Sequence, residues 1–412
     1  MKILIVSQYF WPENFRINDL AQGLTERGHR VTVLTGQPNY PGGKIFPGYG
    51  FFKRPREQFD HAEIIRAPLF PRGRGGAVRL FLNYLSFTFF ASLVALFRCR
   101  KKYDLIFVFE PSPFTVGLPA ILLRSLKKIP LMFWVQDLWP ESLVATGAIR
   151  SPFILKWVGV MVRAIYKRCD RVLVQSEGFV EPAIAAGADP KRIHYFPNWS
   201  ESIYQPAQVN SQPPPSAEFP DGFCLIFAGN LGEAQSLETL LGAAERLRDT
   251  HDIHWVIIGD GRRREWMQNE TRRLNLENQI HFLGKHPIEA MPGFFSQSDV
   301  LLATLRPDPV FSLTIPSKVQ SYLACAKPVL AALDGEGARV IMESGGGVAV
   351  AAGDAAGLAE AALGLYRLQE EERAAMGLRG RKYYEKHYDR NRLLGKLESW
   401  MQEMIEEGMC ES

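Results

Sequence analysis

The chain has 412 residues, 46% of them hydrophobic and 22% charged, with a formal net charge of +4. That length suits two ordinary domains with large buried cores, and the charge is too small to imply a nucleic-acid binder without a concentrated basic patch. Five cysteines (Cys99, Cys169, Cys224, Cys325 and Cys410) are an odd, widely spaced set with no C-x-x-C pair, for which reduced thiols in a cytosolic protein are the simplest account.

The first apolar run, ILIVSQYFW from Ile3, follows a single lysine and lacks a small-residue cleavage site. It therefore reads as a buried parallel strand rather than a secretory signal. Amphipathic INDLAQGLTERG follows, with Gly28 where a helix C-cap falls, and RVTVLTGQ gives a second strand. Residues 79–102, RLFLNYLSFTFFASLVALFRCRKK, are the most apolar stretch. About eighteen largely apolar residues between basic flanks approach the length of a spanning helix. Asn83 and the hydroxyl residues weaken that reading, and a span would interrupt the first domain. The expectation is a helix packed partly on the sheet, with an aromatic face dipping into the bilayer and Arg98, Arg100, Lys101 and Lys102 meeting anionic lipid. FILKWVGVMVRAIYKR, residues 153–168, has similar character. The alternative is two buried domain helices.

DLIFVFE, PLMFWVQD and RVLVQS continue the strand-like runs, separated by helical segments. Residues 196–221 break the rhythm, and NSQPPPSAEFP reads as a linker. The alternation restarts with FCLIFAGN, IHWVIIGDG, IHFLGK, VLLATL, KPVLAAL and GGVAVAAG. Such alternation predicts an α/β protein with two doubly wound, Rossmann-like domains. The boundaries are 1–198 for the first domain, 199–221 for the linker and 222–388 for the second domain. Residues 389–412 form a C-terminal helix that crosses back to brace the first domain. Ligands of such sheets bind beyond the carboxyl ends of the strands, so two facing sheets would make one interdomain cleft.

Three segments offer phosphate chemistry. Gly229 and Gly232 follow a strand and precede a helix, where glycine allows a tight turn and close approach of backbone to an anion, although Gly-x-Gly-x-x-Gly is absent. Gly259, Asp260 and Gly261 form a second such loop; Arg262, Arg263 and Arg264 after it read as a solvated face or as phosphate ligands. The third is TIPSKVQSYLACAKPVLAAL, with Pro316 suited to a first helical turn. Ser317, Lys318 and Ser321 share one side near that helix start. Lys318 would supply a point charge to a diphosphate, with Ser317 or free N–H groups adding hydrogen bonds. The bland alternative has Ser317 as a cap and Lys318 solvated.

These motifs, with RGHRVTVLT, QDLWPESL, FPNWSE, AGNLGEAQSLETLLGAAERLR, GDG and PSK…YLA…KPV in order, resemble glycosyltransferase family 4, the retaining group of the GT-B fold. QDLWPESL and FPNWSE are most similar to enzymes of surface-polysaccharide assembly such as colanic-acid fucosyltransferases and O-antigen N-acetylfucosaminyltransferases. The resemblance implies that the second domain binds a nucleotide sugar (UDP-, GDP- or dTDP-linked) and the first a lipid-linked glycan acceptor. Gly229, Asn230 and Gly232 would lie against the diphosphate, together with Gly259, Gly261, Pro316, Ser317, Lys318 and Ser321. Gln235 stands where many members carry a phosphate-binding lysine. Gly284 and Lys285 would touch the nucleobase through backbone groups, and Asn14, Arg16 and Gln136 would border the acceptor. The Glu-x7-Glu pair of many members falls here on Leu313 and Ser321, and a histidine common after the fifth strand is replaced by Gln136.

Glycosyl transfer passes through an oxocarbenium-like state, and stabilising charge on the departing diphosphate helps most. Helix N-termini, glycine-loop amides and Lys318 would do this without a metal or any other cofactor. Asp137 and Glu141 are the best carboxylates for the acceptor hydroxyl or for positive charge, Asp137 reading equally as a cap. Glu110 is a weaker candidate, and Asn198 borders the hinge or simply occupies a turn. The expected place of action is the cytoplasmic face of the cell membrane, as a peripheral protein. A sugar-nucleotide epimerase and a non-catalytic sugar-binding protein are the competing readings.

Overall fold

The computed structural model describes residues 1–73, 76–145, 149, 151–206 and 219–410. The chain divides into two compact units, Met1–Pro197 with Asn391–Ser412, and Asn198–Arg390. Most of NSQPPPSAEFP lies outside the described residues. Residues 199–206, expected as the start of a linker, are instead part of the second unit. There Trp199 is fully buried, Ser200 Oγ donates to Tyr384 Oη at 2.7 Å, and Tyr204 stacks on Phe295.

The first unit runs β1 (Lys2–Val6), α1 (Arg16–Glu26), β2 (Arg30–Gly36), β3 (Arg56–Phe59), β4 (Ala62–Ala67), α2 (Ala77–Arg98), β5 (Leu105–Glu110), α3 (Gly117–Lys127), β6 (Leu131–Val135), α4 (Glu141–Ala145), α5 (Pro152–Tyr166), β7 (Arg171–Val174), α6 (Val180–Ala185) and β8 (Ile193–Tyr195). Its sheet order is β3-β4-β2-β1-β5-β6-β7-β8, parallel except for β3 against β4. β5 and β6 are buried at every position, as expected of strands covered on both faces. The order in which the parallel strands are laid down reverses between β1 and β5, so the loops after them flank the switch point where ligands of such sheets bind. Gly28, at φ +84°, sits just past the end of α1 in the left-handed conformation that ends many helices.

α2 buries one stripe only. Asn83, Phe87, Ala91 and Ala95 are inside, whereas Val78, Phe81, Leu85, Phe89 and Phe97 are each more than half exposed. Asn83 belongs to the inner face, accepting from Gln8 Nε2 at 2.7 Å and donating to the Phe70 carbonyl at 2.6 Å. The asparagine that weakened a membrane-spanning reading is therefore on the sheet side. α5 repeats the pattern, with Val158, Val162 and Ile165 inside and Phe153, Trp157 and Val160 outward. Neither is a buried domain helix.

The second unit runs β9 (Phe223–Ala228), α7 (Leu237–Arg246), β10 (Ile253–Ile258), α8 (Arg264–Arg273), β11 (Ile280–Gly284), α9 (Met291–Ser296), β12 (Val300–Thr304), α10 (Pro309–Ser312), α11 (Ser317–Ala324), β13 (Val329–Ala332), α12 (Gly335–Ser344), β14 (Gly347–Val350), α13 (Ala355–Arg367) and α14 (Glu370–His387). Its parallel sheet has the order β11-β10-β9-β12-β13-β14, with the switch point between β9 and β12. Apolar clusters cover both faces. One gathers α9, α11, α12 and α14, the other α7, α8 and α13. α15 (Arg390–Cys410) belongs mainly to the first unit. It buries Leu394, Leu397 and Met401 there, and Glu398 takes Arg27 Nη1 at 2.7 Å and His29 Nε2 at 2.6 Å.

Candidate functional site

In the second unit, two glycine loops stack at the carboxyl ends of β9 and β10. The Gly229 amide donates to the Ile258 carbonyl at 2.8 Å, and the Leu231 amide to the Asp260 carbonyl at 2.9 Å. Gly229 and Gly259 have φ of +143° and +145°, a region that side chains rarely adopt. A Cβ at Gly259 would fall 1.8 Å from the Gly229 carbonyl oxygen, and one at Gly261 2.6 Å from the Leu231 carbonyl carbon. The glycines are thus required by backbone pressed on backbone. Gly232 is crowded differently, by the side-chain Nδ2 of Asn230, which a Cβ would meet at 2.6 Å.

Lys318 closes this floor. Its Nζ donates to Gln235 Oε1 at 2.6 Å and lies 3.6 Å from the centroid of the buried Phe227 ring. A Cβ at Gly229 would stand 3.0 Å from the same nitrogen. Among the described residues no carboxylate pairs with it, and burial pushes its pKa down from 10.5 to about 7. The neutral Gln235 and the cation of α11 thus occupy one spot. α11 is itself fixed to the end of β9, because Tyr322 Oη bonds both the amide and the carbonyl of Ala228 at 3.3 Å. At the switch point the Arg306 amide donates to the Ala234 carbonyl at 2.9 Å, and Thr304 Oγ1 to that of Gln235. The loops after β9 and β12 are therefore joined.

Some expectations for this unit change. Pro316 is the residue before the helix rather than within its first turn, with ψ of 134°, and Ser317 opens the helix exposed, making no cap bond. Ser321 is buried beneath Lys318's turn. Leu313 ends α10 partly buried. Arg263 is neither solvated nor free for phosphate: it pairs with Glu233 at 3.0 Å and Glu238 at 2.5 Å, and lies over the Trp266 ring. Gly284, at φ +79°, accepts from the Gly259 amide at 2.7 Å, which ties the β11 turn to the glycine loops; Lys285 beside it is exposed.

In the first unit, β5 and β6 end side by side and bring Glu110 and Asp137 together. Glu110 is 1% exposed, and burial together with the Asp137 charge holds its carboxyl well above the usual range. Burial also raises Asp137, against the pull of Ser142 Oγ, which donates to Oδ1. Gln136 joins them through its amide, which donates to the Glu110 carbonyl at 3.0 Å, and through its carbonyl, which accepts from Gln175 Nε2 at 2.9 Å. Glu141, expected with Asp137 as one of the two best carboxylates, is exposed at the start of α4. Asn14 is exposed and Arg16 half-buried, on the turn that opens α1.

Glu13 escaped the sequence reading. Its Oε1 accepts the amides of Asn39 and Tyr40 at 2.7 Å each, and burial raises its carboxyl to about 7 despite those bonds. Local sequence around Glu13 carries no signal of this, because the loop that covers it is distant in the chain. No group of three or more His, Cys, Asp or Glu side chains with metal-holding geometry occurs among the described residues.

The glycosyl transferase 4-like domain model matches residues 14–199, and the glycosyl transferases group 1 model matches residues 222–367. The Escherichia coli (strain K12) protein named "Putative colanic acid biosynthesis glycosyl transferase WcaI" is 26% identical over 337 residues, covering 79% of this chain and 81% of its own. Two solved structures have the same fold at low identity. The sucrose-phosphate synthase of Thermosynechococcus elongatus has a TM-score of 0.73 at 15% identity, covering 98% of this chain and 99% of its own. Anabaena HepE in complex with UDP has 0.68 at 14%, covering 98% and 100%. With both units matched and both glycine loops in place, the chain belongs to glycosyltransferase family 4 and is a glycosyltransferase of the GT-B fold.

Proposed function

We propose that the protein is a retaining, metal-independent glycosyltransferase of surface-polysaccharide synthesis. It moves fucose or N-acetylfucosamine from a nucleotide donor to a lipid-linked glycan at the inner face of the cell membrane. The observation that carries the donor half is the Lys318 ammonium, held over a glycine-loop floor with only neutral partners. A partly buried cation without a counter-charge gains most from an arriving diphosphate. As the sugar–phosphate bond breaks, negative charge grows on the leaving diphosphate. Lys318, the amides of Asn230 and Gly232, and those opening α11 stand ready to stabilise it, while the Gly229 amide is already bonded to the Ile258 carbonyl. Gly259 and Gly261 hold that floor in shape, with Gln235 orienting the ammonium.

Glu110 and Asp137 support the acceptor half. A carboxyl with a raised pKa next to a second one suits the handling of an acceptor hydroxyl proton. Asn14, Arg16 and Gln136 are the proposed acceptor contacts. The polysaccharide assignment draws on the colanic-acid relative, and a diphosphate donor draws on the UDP complex of HepE. The exposed apolar faces of α2 and α5 favour a lipid-linked acceptor over a soluble one.

The test is a donor screen with UDP-, GDP- and dTDP-sugars against a lipid-linked acceptor extract, with and without EDTA. NMR of the product's anomeric proton reads the stereochemistry. Transfer that survives EDTA and keeps the donor's anomeric configuration supports the proposal. Isomerised donor, or binding without turnover, refutes it.

A further inference from the structure

A cavity of about 780 Å³ opens at the amino edge of the first unit's sheet, the edge opposite to the loops after β5 and β6. Arg124 and Lys128 enter from the end of α3, Arg171 from the start of β7, and Lys191 and Arg192 from the turn before β8; α15 closes one side with Glu407. Five cations thus line the cavity, and three of them are paired: Arg124 donates two hydrogen bonds to Asp170 at 2.6 and 2.9 Å, Arg192 lies 3.6 Å from Asp189, and Arg171 meets Glu403 at 2.8 Å and Glu407 at 3.9 Å.

Cations at the end of α3 complement the helix dipole and need no ligand. Arg171, at the start of β7, and Lys191, in the turn before β8, stand where that explanation does not apply, whereas Arg192 is accounted for by Asp189 and by the Cys169 carbonyl, to which it donates at 3.2 Å. The Arg171 side chain is 9% exposed. Its Nη2 donates to Glu403 at 2.8 Å, whereas its Nη1 is buried with no hydrogen-bond partner. A guanidinium N–H left unpaired is costly, and an anion removes that cost. Lys128 and Lys191 are exposed and make no ion pair among the described residues, so both ammonium groups can swing to an incoming charge.

We propose that this cavity is a second anion site, taking a ligand that carries a phosphate or diphosphate group. It is distinct from the diphosphate seat at Lys318 and does not depend on it. A planar guanidinium beside two mobile ammonium groups matches phosphate oxygens in number and charge. The group arrives either on a soluble molecule or on a lipid headgroup.

Titration calorimetry of the full chain with sodium pyrophosphate tests the soluble source. The wild type is expected to show two sites. Lys318→Ala removes one, and Lys128→Ala with Lys191→Ala weakens the other about tenfold. Sedimentation with phosphatidic acid vesicles, against phosphatidylcholine vesicles, tests the headgroup source. The control is a variant lacking two exposed cations elsewhere, Arg248→Ala with Arg273→Ala. A selective loss by the Lys128/Lys191 variant in either experiment, with an unchanged circular dichroism spectrum, supports the site and identifies its source. If that variant matches the wild type in both, the proposal is overturned, whatever the outcome of the donor screen.

Discussion

Lys318 Nζ and Gln235 Oε1, 83 positions apart in the chain, meet at 2.6 Å over the Phe227 ring. The carboxamide orients the ammonium without neutralising it, so its charge stays available to an anion. Lys318→Ala is expected to lower kcat/KM about 100- to 1,000-fold, the cost typical of losing one preorganised charge at a developing oxyanion. Lys318→Arg should not rescue it, because a guanidinium is too large for the space between Gly229 and Phe227. Steady-state kinetics on folded variants check both.

The same ammonium sets a pH dependence. Burial lowers Lys318 to about 7 in the free protein, and a bound diphosphate draws it back up. Binding above pH 7 therefore takes up a proton, and nucleotide affinity should fall as pH rises, by up to about tenfold per pH unit. Calorimetry in buffers of different ionisation enthalpy reads that proton directly. Stability responds with the opposite sign. Between about 7 and the ordinary 10.5 the unfolded chain holds more protons than the folded one, so this residue's contribution improves as pH rises through that window. Denaturant midpoints of wild type and Lys318→Met across the window should diverge at its lower end, with the variant the more stable.

Two glycine substitutions should separate packing from binding. A Cβ at Gly259 meets a backbone carbonyl at 1.8 Å, and neither partner can give way. Gly259→Ala is expected to cost about 2–4 kcal/mol of stability. A Cβ at Gly229 meets the mobile end of Lys318 instead, at 2.7 Å. Gly229→Ala should lose less stability but displace the ammonium, so nucleotide binding falls more than the melting temperature. Thermal unfolding and calorimetry on the two variants give the contrast.

The strands that positioned these loops were legible because they are buried on both faces. LIFVFE, LMFWV and FCLIFA are unbroken apolar runs of strand length. β3 was not, because REQF carries charge at a sheet edge, where alternation is weak, and neither was β4, an inner strand whose apolar run is interrupted by Glu63 and Arg66. β8, only IHY, is too short to declare itself. In the site, Gly229, Gly259 and Lys318 each showed as separate signals. The Lys318–Gln235 pair did not, since a side-chain contact across 83 residues leaves no spacing to read. Glu141 looked as good as Asp137 in sequence, and only the course of the chain shows one facing Glu110 and the other facing solvent.

Asp137→Asn tests the carboxyl pair. Both Glu110 and Asp137 are raised, so their ionised forms are disfavoured in the folded state, and stability is lost as pH climbs above the ordinary carboxylate range. Asparagine keeps an acceptor for Ser142 and removes the charge that Glu110 feels. At neutral pH the variant should melt about 2–4 °C higher, with a flatter pH profile, while transfer to the acceptor falls. A lower melting temperature would mean that Asp137 stabilises the fold and that its charge is compensated.

The outward face of α2 offers the last prediction. Phe81, Leu85 and Phe89 follow one another at helical spacing, 63%, 52% and 58% exposed. Phe89 continues through Phe90 and Phe51 to the exposed Phe52 and Phe70, which widens a helix stripe into an aromatic patch. Arg98, Arg100, Lys101 and Lys102 are basic neighbours where the helix ends. Half-exposed side chains of this size would each gain roughly 1 kcal/mol on entering a bilayer interface, so replacing three with serine should weaken vesicle binding about 100-fold. Because these side chains are largely outside the core, the melting temperature should change little. Sedimentation with phosphatidylglycerol vesicles at low and high salt measures both parts. Salt should remove the basic contribution and leave the apolar one, and equal binding by wild type and triple variant at both salts would end the case for a lipid-facing helix.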